Sequence, residues 1–240
     1  MNRLTKEQFL KEVASHELHV LRDDGVYRHL RFQKPGTICM SFDLITWPGH
    51  LCYAGDMGTF VFRRVHDMLT FFRTEGRSKE DPFRWVERSY WHQKLEAIDR
   101  CDGSQEFDSD AFAREITKQR RRLLVLHGRG MDKRHRQDLW DELGELKDKA
   151  IGGEACAMDA AYNWSFIAQK RGLTQVIRLD IDEFPDCKRW SHRFEWCCFA
   201  LRWGVMAYDQ AKLAAASQAS EESSATGNAG QVGTHWGMAA

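Results

Sequence analysis

The sequence predicts an α+β fold: an antiparallel meander near the N-terminus, packed on helices and closed by a long apolar helix near the C-terminus. Three observations carry this. Within the first 64 residues, short alternating runs are separated by Asp24-Gly25, Pro35-Gly36, Pro48-Gly49 and a loop bracketed by Gly55 and Gly58, each a turn signal suited to a hairpin. From residue 186 to 214 large apolar side chains recur at helical spacing. The chain is 42% hydrophobic and 29% charged, with nine Trp and fourteen Phe, rings that need a core or an interface to bury them.

The elements follow in order. Thr5 and Gln8 form a capping box ahead of Phe9, Leu10 and Val13, which predicts a short helix over residues 6–15. The run 16–22 is strand-like and breaks at Asp23-Asp24-Gly25. The return run places Val26, Arg28, Leu30 and Phe32 on one face and Tyr27, His29 and Arg31 on the other. After the Lys34-Pro35-Gly36 turn, Ile38, Met40, Phe42 and Leu44 are expected to share the core face, with Cys39, Ser41 and Asp43 opposite. Two more strands, 50–54 and 59–64, complete the meander, and a helix carrying Val65, Met68, Leu69 and Phe72 on one stripe folds over it.

Residues 76–82 read as a charged linker and 89–100 as a helix, with Trp91, Leu95 and Ile98 in register. Further helices are expected over 110–126, 132–150 and 154–170, and a short extended segment over 175–181. A helix over 186–214 is apolar on most sides, so it is either central to the core or shared with a second copy through residues 190–208. Glu195 and Arg202 lie within it, seven residues apart, and need partners if buried. Residues 1–214 are therefore expected to form one α+β domain with 102–185 as a helical insertion. Residues 215–240, rich in Ala, Ser and Gly, are expected to be a disordered tail.

Composition narrows the function classes. Net charge is zero, so no global field draws nucleic acid or membrane, and affinity for either needs a local patch. No run of about 18 apolar residues is present to span a bilayer. The first residues are charged and helical in pattern, unlike an apolar leader. The seven cysteines contain no C-x-x-C pair, and the chain reads as cytoplasmic with reduced thiols. No H-E-x-x-H or cysteine-pair spacing points to zinc, no metal site is predicted, and no cofactor is implied.

The candidate site is the polar face of the meander. His29, Arg31, Asp43, Trp47, Tyr53 and Asp56 are the ligand-binding candidates, because a planar guanidinium, a carboxylate and aromatic faces converge there beside two loops. A host protein or a small anionic ligand would suit them. A second candidate is the segment 114–136, in which nine Lys or Arg face two acids. Here Arg120, Arg121, Arg122, Arg134 and Arg136 are the residues that would bind nucleic acid. The acidic stretch 138–159 offers those cations an intramolecular partner, and no aromatic residue interleaves with them. A third is a metal-dependent phosphoryl-transfer or hydrolytic centre built on Asp180 and Asp182, or on His29, Asp43 and Asp56.

The segments FDLITWPG, GDMGTFVF and FEWCCFAL, within residues 16–101 and 186–212, resemble a family of uncharacterised proteins encoded in tailed-phage and prophage genomes. The resemblance implies an accessory protein acting in a bacterial host cell. It carries over no catalytic residue. The expectation is a protein that acts by binding, as an inhibitor of a host defence system or by sequestering a nucleotide-like ligand.

Overall fold

A computed structural model describes residues 4–73, 81–100, 103–170 and 172–227. The expected linker 76–82 lies mostly outside these residues, as does Cys101. The chain divides into two compact units, residues 1–104 with 192–240, and residues 105–191.

The first unit is built on a six-stranded antiparallel sheet in sequence order: β1 (Glu17–Asp24), β2 (Tyr27–Gln33), β3 (Phe42–Trp47), β4 (His50–Gly55), β5 (Gly58–Arg63) and β6 (Leu95–Ile98). The turn chemistry sets its register. Pro48-Gly49 closes a two-residue hairpin in which Trp47 opposes His50 and Leu44 opposes Tyr53, and Gly49 takes φ 79°, a value that favours glycine. The Gly55–Gly58 loop is likewise a two-residue hairpin. A Cβ on Gly55 would sit 2.3 Å from the Ser41 carbonyl oxygen, so close backbone approach accounts for that glycine.

Alternation then puts Leu30, Phe32, Phe42, Leu44, Leu51, Tyr53, Phe60 and Phe62 on one face, all buried. Helices α1 (Lys6–Glu12), α2 (Met68–Phe72), α3 (Arg88–His92) and α7 (His192–Gly227) belong to this unit. Phe9 of α1 packs on Trp196 and Phe199, Phe72 of α2 on Phe62, and Trp203 of α7 on Phe32. Gly204 marks the closest approach of α7, where a Cβ would lie 2.9 Å from Leu44 Cδ1. The two charges inside α7 find partners. Glu195 pairs with Arg88 at 3.0 Å, and Arg202 donates to the Phe72 carbonyl at the end of α2 at 3.2 Å.

Several expectations are corrected. Residues 37–41 form a turn rather than a strand, with Met40 at φ 57° and Ile38 82% exposed, so neither joins the core stripe. Val65 is exposed, and α2 begins only at Met68, where Asp67 caps it. The helix expected over 89–100 is the short α3 followed by β6, which pairs with β5. α7 starts at His192 and continues to Gly227, so residues 215–227 are helical rather than tail, and 228–240 lie outside the described residues. It is apolar only over its first half: from Gln210 to Ser220 every side chain is exposed. The stripe 190–208 offered as a dimer face is consumed at home. Phe194, Trp196, Cys197, Cys198, Leu201 and Val205 are buried in the first unit.

The second unit joins helices α4 (Ser109–His127), α5 (Lys133–Lys149) and α6 (Gly153–Asn163) to two two-stranded sheets. β7 (Gln105–Phe107) pairs with β10 (Lys188–Trp190), and β8 (Ser165–Lys170) with β9 (Leu173–Arg178). Its core holds Phe112, Ile116, Leu139, Leu143, Ala157, Ala161, Phe166 and Ile177. The segment is therefore not purely helical, and the helix expected over 154–170 ends at Asn163.

Candidate functional site

The helices of the first unit cover one face of the six-stranded sheet; its opposite face carries the polar candidates. Strand pairing lays one row across all six strands: Arg22, His29, Ile45, Cys52, Val61 and Ala97. Ile45, Cys52 and Val61 are half-buried and form an apolar strip. On one side of the strip, Arg31 of β2 opposes Asp43 of β3. Its Nε and an Nη donate to the two Asp43 oxygens at 2.9 and 2.8 Å, and His29 Nε2 lies 2.8 Å from Asp43 Oδ2. On the other side, Trp47 stacks on His50 with ring centroids 5.0 Å apart and planes 11° from parallel. His50 Nε2 and an Arg63 Nη reach the two Glu96 oxygens at 2.9 and 3.2 Å.

His29, Arg31, Asp43 and Trp47 thus share one surface, as expected. Tyr53 does not. Its pairing with Leu44 turns it to the core, where it is fully buried, and its hydroxyl has no hydrogen-bond partner among the described residues. Burial pushes that phenol well above its ordinary range. Asp56 is occupied structurally, accepting from the Met40 amide at 3.0 Å and so holding the 37–41 turn in its left-handed bend. Glu96 is the addition: it sits on β6, in a segment whose spacing reads as helix.

Electrostatically the face is self-satisfied. Burial pushes the Asp43 carboxyl up, but hydrogen bonds from Arg31 and His29 outweigh it and hold the group below its ordinary 3.8. A carboxyl depressed on folding stabilises the protein above its unfolded pKa, and that contribution is lost as pH falls through the folded value. Acid unfolding of the first unit is therefore expected to steepen below about pH 3.8, and Asp43→Asn should flatten that limb of a stability–pH profile. An unchanged acid limb would mean that Asp43 contributes nothing to it. Because the Arg31 fork is already bidentate, a small anion meets no free cation there. An apolar strip beside a stacked ring and flanked by paired charges suits a macromolecular surface better.

The basic segment lies in the second unit, and the structure sorts its cations. Arg114 pairs with Asp108, Lys118 with Glu115, and Arg122 with Glu183. Arg120 stacks on Trp140, its guanidinium carbon 3.8 Å from the ring centroid. Arg121, Arg129, Lys133, Arg134 and Arg136 have no ion-pair partner among the described residues. Contrary to expectation, none of these acidic partners comes from the stretch 138–159, and an aromatic ring does join the segment, from α5.

Asp180 and Asp182 are not on a strand. β9 ends at Arg178, and Asp180 precedes a 3-10 turn, Ile181–Glu183, that contains Asp182, beside a cavity of about 360 Å3. Among the described residues no three His, Cys, Asp or Glu side chains gather as metal ligands, whether there or around His29, Asp43 and Asp56. No helix among the described residues is long and apolar enough to cross a membrane. Comparison with family models, curated proteins and solved structures returns no match to this chain.

Proposed function

We propose that this protein acts by binding, and that a partner protein docks flat on the outer face of the six-stranded sheet. The apolar strip Ile45–Cys52–Val61, left open by the helices of its own unit, carries this reading. Interface centres are apolar and aromatic, and their rims are polar. Here Trp47 flanks the strip, and the Arg31–Asp43 and Arg63–Glu96 pairs hold the rim side chains in place before contact. Such preorganisation lowers the entropy cost of association. The likeness to phage-encoded proteins makes a bacterial host protein the partner, and interference with a host defence complex the consequence.

The test is quantitative capture from bacterial lysate with the wild-type chain, Trp47→Ala, Val61→Lys, and Arg136→Ala as a control in the other unit. A partner retained by wild type and Arg136→Ala but weakened by both face variants is the expected result. Trp47→Ala should weaken it by about 30-fold, the scale of an interface hot spot of roughly 2 kcal/mol. Both face variants should keep the wild-type thermal midpoint to within a few degrees. Equal capture by all four chains would remove the sheet face from consideration.

A further inference from the structure

Two facing helix stripes in the second unit flank an open cavity of about 600 Å3. Leu124, Val125 and Gly128 line it from the end of α4, and Lys133, Arg136, Gln137 and Trp140 from the start of α5, with Arg129 on the connecting turn. Residues 133, 136, 137 and 140 recur at helical spacing, so they form one face. We infer that this cavity is a nucleotide-binding groove, with a base stacked on Trp140 and phosphate held by Arg129, Lys133 and Arg136.

Four observations converge on it. First, the three cations that line the groove are exposed and have no ion-pair partner among the described residues. Of the six other cations of the segment, Arg114, Lys118 and Arg122 are ion-paired and Arg120 is stacked on Trp140, so three of the five without a partner line the groove. Second, α5 opens with Lys133, Arg134, His135 and Arg136 and has no acid in its first turn. The helix dipole disfavours cations at that end, whereas it favours a bound anion there. Asp132 caps this end, accepting from the His135 amide at 2.8 Å, so it is the side chains of Lys133 and Arg136, projecting into the groove, that a phosphate would meet. Third, Trp140 is backed by Arg120. Gly144, one turn further along α5, makes room for that guanidinium, since a Cβ there would lie 3.1 Å from an Arg120 Nη. The ring is thereby fixed as a platform. Fourth, Val125 lies in the groove at 80% exposure, an apolar group beside the ring for a base to cover. A lining of cations with one stacking ring is what a nucleotide unit needs, because every base has a π-face and every nucleotide a phosphate. Arg121, one turn before Leu124 and Val125 on α4, continues the unpaired charge along the same side.

A free nucleotide and a single strand present the same chemistry, and binding data separate them. Fluorescence anisotropy of a labelled 12-nucleotide single strand would be followed against salt, with a nucleoside triphosphate and inorganic polyphosphate as competitors. Three phosphate contacts give a log–log salt slope of about −2 for a single strand, and five give about −3.5. Arg136→Ala and Lys133→Ala should each make the slope less negative by about 0.7. Trp140→Ala should weaken binding by about tenfold. Because Trp140 also seats Arg120, Val125→Glu provides an independent test: it sets a carboxylate in the groove at an exposed site and should likewise weaken binding tenfold or more. Leu173→Glu, on the exposed side of β9 in the same unit, should not. Competition by the nucleoside triphosphate at the oligonucleotide's own affinity would identify a free nucleotide, and weak competition would identify a strand. Polyphosphate competing as well as either, with Trp140→Ala and Val125→Glu without effect, would reduce the groove to bare charge and overturn the assignment, as would an absence of binding at low salt. Protein capture through the sheet face is unaffected by these variants, so the two proposals stand or fall separately.

Discussion

Replacing Trp196 by alanine is expected to cost the first unit about 3–5 kcal/mol, the range for removing a large buried ring from a core that relaxes only in part. The indole is fully buried between the sheet and α1. It meets Phe9 edge-on at 5.1 Å and Phe42 at 5.6 Å, with Tyr53 at 6.4 Å. Its Nε1 donates to Glu12 Oε2 at 2.6 Å, which ties α1 to α7. Alanine removes the packing and the tie together. Trp196→Phe keeps most of the ring contacts and loses the tie, so it should cost distinctly less, about 1–3 kcal/mol. Urea unfolding measures both, and the comparison divides volume from hydrogen bonding. A loss below 1 kcal/mol for the alanine variant would contradict the packing of α7 on the sheet.

The meander was legible because its turns are chemically explicit. Gly25, Gly36, Gly49 and Gly58 all adopt positive φ, and a two-residue hairpin fixes which residues oppose each other across it. Alternation then assigned Leu30, Phe32, Phe42 and Leu44 to the core correctly. The same logic could have placed Tyr53. Once Trp47 opposes His50, Tyr53 must oppose Leu44 and share its face. Proximity in sequence to Trp47 was a weaker guide than register. β6 and β8 escaped for another reason. Trp91, Leu95 and Ile98 fit helical spacing, and a four-residue strand is too short to contradict it; pairing with β5, a tertiary effect, decides. The run through Ser165–Lys170 is similarly ambiguous, and β9 settles it by offering a partner.

The sites were legible only in fragments. The polar side chains His29, Arg31 and Asp43 announced a polar face, but that these groups satisfy one another depends on the β2–β3 register. Glu96, invisible as a partner for His50, arrives with the unrecognised strand. In the basic segment the absence of an interleaved aromatic argued against nucleic acid. Trp140 supplies that ring from 20 residues beyond Arg120, across the packing of α4 on α5. Which cations are free is also a tertiary result: Arg122 reaches Glu183, far along the chain, while Arg121 beside it reaches no acid among the described residues.

Arg88→Met is expected to destabilise the first unit by about 3 kcal/mol, the lower end of the range for breaking a buried ion pair from one side. Glu195 is 6% exposed and Arg88 16% at the side chain, so neither is well solvated. The pair is 3.0 Å apart, yet the Arg88 Nε–H is not aligned for a hydrogen bond, so the attraction is chiefly between charges. The guanidinium also covers the Phe199 ring at 5.2 Å, and methionine retains much of that apolar contact. What methionine cannot supply is a positive charge for the carboxylate. Glu195 lies in the first turn of α7, where the helix dipole partly compensates it, which is why the lower end of the range applies. Removing both charges should then cost less than removing one. The double variant Arg88→Met/Glu195→Leu is expected to recover at least half of the loss, giving a coupling of about 1–3 kcal/mol in a double-mutant cycle. Additive costs in that cycle would show that the two side chains do not act as a pair. Recovery would place the pair among charges kept for a unique seating of α3 on α7 rather than for net stability, because an apolar pair of similar volume would serve stability as well.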